Sequence, residues 1–433
     1  MNNSIIAFVF IALLTPTMAE AQQRSAWRGP DRNGIYKETG LLQEWPEEGP
    51  AVLWMFEGLG EGYSSPSFAN GKIYLTGMHD RTGYVFILSK DGTLINKYEY
   101  GPEFYRSYPG SRSTPLVVDD LLYLVSGMGE IMCLNAGNGK QIWSKDAIGD
   151  FGGENIRWGI TENLLVDGEK IFFAPGGKHH NIVALNRFTG ELIWSSPGSG
   201  KGDLSAYCSP LIIELPARKL LVTHMASDIV GLDAETGEFL WSYPFANRNN
   251  IHSNTPIYYN GYIYAFSTDE SGSLKLKLTP DGSSVSLEWL NNEVNPLAGG
   301  AVILDGHIYT AVYVGRRWYC MDIETGKPTY SSRDLDRGVV IYADRRLYYY
   351  TERGELALVR PDPAKLDIVS QISLRKIGSG HHFSHPVLHE GRLYVRRGDA
   401  MIAFDIRQTS TNLRLTKQDC FSCPSFIFHG HKK

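Results

Sequence analysis

Apolar residues in this chain fall into short runs broken by tight polar turns, and the runs come in pairs. Each pair opens on a hydroxyl residue and proline or their equivalent. It continues through a few apolar positions, turns at Gly, Asn or Asp, and returns to an apolar residue followed in most copies by Tyr. The copies run from Ser65 to Tyr74, Thr114 to Tyr123, Glu162 to Phe172, Ser209 to Val222, Thr255 to Tyr264, Gly300 to Tyr309, Val339 to Tyr348 and His385 to Tyr394. Turn pairs such as Asn70-Gly71, Asp167-Gly168, Asn260-Gly261 and Asp305-Gly306 supply the positive φ that a two-residue hairpin needs. Proline at the first position of a strand removes no ladder donor. The pattern predicts eight β-hairpins.

A second pattern follows several of these hairpins. An aliphatic residue and Asn or Asp lead into a short linker, then Gly, then an aromatic residue four positions on. It runs from Leu134 to Trp143, from Leu185 to Trp194 and from Leu232 to Trp241, with a weaker copy from Met321 to Gly326 that places Tyr330 where the others have Trp. This reads as a third strand, a Thr-Gly-type turn and a fourth strand. A self-similar unit of roughly 40–50 residues built from four antiparallel strands is a propeller blade. The fold expected is therefore all-β: an eight-bladed β-propeller. The last blade ends near Ile406 with no fourth strand after it, and Pro50-Ala51-Val52-Leu53-Trp54 precedes the first hairpin. Leu53-Trp54 is expected to complete the last blade beside Ala403-Phe404 and so close the ring, which removes exposed edges. The repeated Trp residues are expected to pack between neighbouring blades.

Composition adds compartment and partner class. The formal net charge is −5, which gives no electrostatic reason to expect nucleic acid. Ile5 to Leu14 is nearly all apolar and too short to span a membrane, and Ala19-Glu20-Ala21 follows as a small-x-small cleavage pattern. The expected division is a signal peptide at 1–21, cleaved after Ala21, a propeller at 22–406 and an irregular tail at 407–433. The mature protein is expected to be periplasmic or secreted, without a transmembrane segment. Of the five cysteines, Cys133 and Cys320 occupy the same repeat position and are expected to pack inside strands. Cys420 and Cys423 lie in the tail, where a local disulfide or no fixed structure is expected rather than a zinc site.

The Asp-x-x-Thr-Gly-x-x-x-Trp units and the count of eight resemble the pyrroloquinoline-quinone-type (PQQ-like) propeller repeat. The opening Trp27-Arg28-Gly29-Pro30-Asp31-Arg32-Asn33-Gly34 is similar to the start of exported bacterial proteins of that type, both BamB-like and polyvinyl-alcohol-dehydrogenase-like. The resemblance covers roughly Trp27 to Ile406. It implies either a scaffold with no cofactor or a quinoprotein alcohol or sugar dehydrogenase that uses PQQ with calcium. The dehydrogenases commonly carry a disulfide between adjacent cysteines, and some carry haem. This chain has no adjacent cysteine pair and no C-x-x-C-H site.

In a propeller, the loops entering the innermost strands gather at one mouth of the channel, where ligands usually bind. Aligning the repeat on its proline brings Tyr63, Arg112, Arg157, Trp158, Glu162, Tyr207, His252, Arg337, His382 and His385 to that mouth. These are the ligand-binding candidates. Arg112, Arg157, Tyr207, His252, Arg337 and His382 come from six different blades. Forked guanidinium donors and aromatic faces suit an anionic or hydroxyl-rich ligand. The neighbouring imidazoles His381 and His382 point to opposite faces in a strand, so no metal is assigned. The catalytic residues, if any, are not readable. The reading favoured is an exported propeller that binds a protein partner, a glycan or another small molecule at its mouth, without a quinone. A quinoprotein dehydrogenase is the first alternative and a carbohydrate-active hydrolase or lyase the second.

Overall fold

The paired apolar runs become the inner hairpins of the fold because each turn closes on residues that accept positive φ. Asn70 and Gly71 have φ of 51° and 70°, and Asn260 and Gly261 have 50° and 85°. One turn differs by a residue from the sequence reading. Asp167 is the last residue of its strand and pairs with Lys170, so the two-residue loop is Gly168-Glu169, with Gly168 at φ 58°.

The computed structural model describes residues 27–408 except 202, 270 and 297–299. The expected signal peptide, its cleavage site and the Cys420/Cys423 tail lie outside the described residues. Eight four-stranded antiparallel sheets form the ring, and no helix occurs among the described residues. Blade 1 comprises Ser67–Ala69, Lys72–His79, Thr82–Ser89 and Leu94–Pro102, ordered from the inner strand outward. Blades 2 to 7 repeat that order along the chain.

Blade 8 is built from both ends of the chain. Val387–His389, Arg392–Arg397 and Ala400–Asp405 come from its C-terminal part, and Ala51–Glu57 adds the outer strand. Val52 pairs with Phe404 and Trp54 with Ala403, and Leu53 falls at a register shift between them. This is the predicted closure, with a bulge at Leu53.

The core lies between blades rather than at the ring centre. One cluster joins blades 2 and 3 through Tyr123, Cys133, Trp143, Ile171 and Val183, and another joins blades 6 and 7 through Trp318, Cys320, Leu347 and Tyr349. Cys133 and Cys320 are fully buried there, as expected for small apolar groups. Burial pushes the Cys133 thiol up to about 11.

Candidate functional site at the loop mouth

The loops that enter the inner strands all lie at one end of the ring, and they are knitted to one another. Gly62 bridges Ser111 in parallel, Tyr63 N–H donates to Ser111 at 2.8 Å, and His252 N–H donates to Ala206 at 3.1 Å. The candidates on these loops play two different parts.

Five of them form an arc over blades 1 to 4. The Arg112 side chain is buried and donates to the carbonyls of Gly110, Ser107 and Tyr108 at 2.5, 3.1 and 2.7 Å. Its guanidinium lies 5.6 Å from the Tyr63 ring and 4.8 Å from that of Phe104. Desolvation lowers its pKa, opposed by the buried carboxyl of Glu103. The Tyr63 hydroxyl donates to Pro109, and burial pushes its pKa up to about 12. Further round, the Arg157 guanidinium sits 4.6 Å over Trp158, and the Trp158 N–H donates to the Tyr207 hydroxyl at 3.3 Å. Tyr207 has φ 68°, and its carbonyl accepts from Thr161, so the loop is fixed in an unusual backbone state.

The remaining candidates are pillars beneath or beside the rim. His252 is fully buried, stacks on His224 at 3.6 Å between centroids, and bonds Ala226 O and Ser267 Oγ at 3.0 and 2.9 Å. Burial lowers its pKa to about 4. His382 is held through Nδ1 by the Tyr350 hydroxyl at 2.5 Å, and burial followed by the Arg397 charge also brings it to about 4. Arg337 pairs with Glu352 at 2.7 Å and lies 3.7 Å over the Tyr313 ring. Glu162 is buried, its Oε2 accepts from Ala174 N–H at 3.1 Å, and its Oε1 has no partner. Burial pushes its pKa up to about 8, opposed by the nearby Arg32.

In the sequence Arg28 and Arg32 carry only the family resemblance, yet in the structure they organise the channel. Arg28 donates to Ala301 O of blade 6 at 2.8 Å and bonds His385 of blade 8 at 3.3 Å. Arg32 donates to Pro210 O before blade 4 and to Asn163 O and Leu164 O before blade 3, at 2.9, 2.7 and 3.1 Å. Both guanidiniums are buried. Ile35 then pairs in parallel with Tyr342 on the inner strand of blade 7. Residues 27–34 thus reach across the channel and tie opposite blades together. Their signal in the sequence is a pair of arginines four apart in a Gly- and Pro-rich stretch ahead of the first blade.

A calcium-bound quinone needs a cage of six to eight oxygens and a carboxylate base. The residues present do not fit. No group of three or more His, Cys, Asp or Glu stands ready to hold a metal among the described residues. Glu162, the carboxyl among the candidates, is buried with its pKa pushed up to about 8, and has a guanidinium, Arg32, as its charged neighbour.

Comparison with known proteins agrees with the architecture. The family profile described as outer membrane protein assembly factor BamB matches residues 81–332, more than half of the chain. BamB of Kangiella koreensis is 33% identical over 86 residues, 20% of this chain and 19% of that protein. The quinoprotein alcohol dehydrogenase PedH of Pseudomonas putida is 28% identical over 120 residues, 27% of this chain and 19% of that protein. The matched part of the chain thus spans about a fifth of the length of these curated relatives. Among solved structures, BamB from Moraxella catarrhalis aligns with a TM-score of 0.57 at 13% identity, covering 80% of this chain and 95% of that one. The quinohemoprotein alcohol dehydrogenase from Comamonas testosteroni aligns with a TM-score of 0.63 at 13% identity, covering 95% and 83%. At such identities the structures report the fold alone. With eight blades, the recurring Gly and Trp positions and the profile match in agreement, the chain belongs to the PQQ-like propeller family described as outer membrane protein assembly factor BamB.

Proposed function

We propose that this chain is an exported scaffold propeller that holds a protein partner, or a hydroxyl-rich or anionic ligand, on its loop face and performs no quinone chemistry. The observation that carries this reading is the N-terminal segment in the channel. Arg28 and Arg32 take carbonyls from blades 3, 4 and 6 and so occupy the channel. Buried mouth groups such as His252 and Arg112 already spend their hydrogen bonds inside the fold. What remains for binding is the exposed rim: Tyr105, Tyr108, Arg157, Tyr313 and Val314.

The name of the matched family, an assembly factor at the outer membrane, supports a protein partner. Export is read from the N-terminal sequence. No helix among the described residues is long and apolar enough to cross a membrane. The dehydrogenase alternative draws on the partial likeness to PedH, and the donor set at the mouth speaks against it.

The test is site-specific photocrosslinking in intact cells. Crosslinkers replacing Arg157 and Val314 on the loop face should give a discrete adduct, whereas one replacing Asn260 on the opposite face should not. Equal adducts from Asn260, or none from either loop-face position, would contradict the reading.

A further inference from the structure

Two clefts adjoin on the rim beside blade 8. One, of about 430 Å³, is lined by Glu61, Tyr63, His79, His381 and Asp399. The other, of about 560 Å³, is lined by Glu352, Arg353, Arg375, His381 and Arg397. Gly380 and His381 belong to both, so the two make one trough. Glycines 58, 60, 62, 380 and 398 line it as well, which leaves much of its wall as bare backbone.

Tyr63 and His381 put aromatic rings in the trough wall, and further rings pack behind them. His381 stacks on Phe383 at 4.8 Å, with Tyr108 at 5.4 Å and Tyr63 at 6.3 Å from His381. His381 and Tyr108 are exposed. Such rings offer apolar faces to ligands that also carry polar edges.

Charge decides the ligand class. The two clefts contribute three carboxylates (Glu61, Asp399, Glu352) and three guanidiniums (Arg353, Arg375, Arg397). Arg353 is already paired with Asp336, Arg375 with Glu355, and Glu352 with Arg337. A polyanion would meet a balanced surface rather than a positive field. Alternating donors and acceptors suit hydroxyl groups, each of which both donates and accepts.

We propose that this trough binds a neutral glycan, with a sugar ring against Tyr63 and His381 and its hydroxyls shared among Glu61, Asp399 and Nη2 of Arg397, whose Nε and Nη1 already donate to the carbonyls of Gly380, Arg375 and Ile377. This rests on the loop face being the binding face, and it names a ligand class there.

Calorimetric titration of the full chain with cellohexaose, maltohexaose and chitohexaose tests it, with hexaglutamate as the acidic peptide. At least one glycan should bind. Its affinity should fall about tenfold or more, roughly 1.4 kcal/mol, in Tyr63→Ala and in His381→Ala. Tyr63→Phe should restore most of it, because the hydroxyl is committed to Pro109. Salt should change the affinity little, since the ligand carries no charge. His381 is exposed, so His381→Ala should keep the melting temperature and guards against misreading an unfolded Tyr63 variant. Three outcomes overturn the proposal: no binding by all three glycans, binding that survives both alanine variants, or salt-sensitive binding of hexaglutamate in preference to any glycan. Loop-face crosslinks that persist in such a case would leave the partner reading standing, and their absence would remove both.

Discussion

Trp143 of blade 2 packs on Gly190 of blade 3: a Cβ added to Gly190 would lie 2.8 Å from the indole, whose Nε1 donates to Arg187 O at 2.9 Å. The same relation links Trp194 to Gly237 and Trp289 to Gly326, each with 2.5 Å to the added Cβ. Gly in the repeat therefore serves two ends at once. It takes φ of 72° at Gly190, and it leaves room for the neighbour's Trp. Trp143→Ala should cost on the order of 3–5 kcal/mol, the range for a buried Trp. Gly190→Ala should also destabilise, through both strain and the clash. Urea unfolding of the two variants checks this, and an unchanged midpoint in both would mean that the blades are held by something else.

Closure of the ring is the next expectation. Trp54 is half-buried where Trp143 is buried, so Trp54→Ala should cost less than Trp143→Ala. Removing 51–57 is a larger change, because it leaves Ala400–Asp405 as an unpaired edge. Sedimentation of that deletion should show self-association absent from the full chain.

Stability should peak near neutral pH, for reasons of opposite sign. His252 and His382 have folded values of about 4, and His224 lies well below its ordinary value. Each stays neutral in the fold while the unfolded chain gains a proton below about 6.5. Stability is therefore lost as pH falls from there toward 4. Glu162, raised to about 8, does the reverse. The folded protein holds its proton while the unfolded chain loses one above about 4.3, so stability drains as pH rises toward 8. Burial raises the carboxyls of Glu38, Glu103 and Glu352 as well, and these act in the same direction as Glu162. Thermal melts against pH should show the alkaline arm flattened in Glu162→Gln and the acid arm flattened in His252→Asn. A flat profile in the parent protein would contradict both assignments.

Arg28 and Arg32 should lock the N-terminal segment in place. The Tyr342 amide donates to Gly34 O, and the Tyr36 amide donates to Tyr342 O, both at 2.8 Å. In Arg28→Ala/Arg32→Ala these two amides should exchange with deuterium faster, while those inside blade 3 stay protected. Equal protection before and after would show that the segment is held by Leu41, Trp45 and their neighbours alone.

The architecture was legible because it repeats. Paired apolar runs, Gly-containing turns and the spacing from Gly190 to Trp194 each recur, and repetition separates structural signal from chance. Closure by Leu53-Trp54 could be read from a missing strand, although the bulge at Leu53 could not. The site was less legible. Register places His252 and His382 at the mouth, yet nothing in the sequence says that each is consumed by a local partner such as Ser267 or Tyr350. Arg28 and Arg32 lie outside the repeat, so their place in the channel depends on contacts with blades more than a hundred residues away in the chain. Trp289 escaped the pattern for a smaller reason. Its turn, Pro280-Asp281-Gly282, lacks the Thr-Gly spelling, although its indole bonds Ile323 O of the next blade as the other Trp residues do.

Central to the proposed function is that a channel tied across by residues 27–34 takes no quinone. The direct measurement is an absorbance and thermal-shift titration of the purified protein with pyrroloquinoline quinone and calcium, followed by addition of an alcohol and a reducible dye. The account predicts no saturable spectral change, no calcium-dependent rise in melting temperature and no dye reduction. Saturable, calcium-dependent binding with alcohol-driven dye reduction would contradict it.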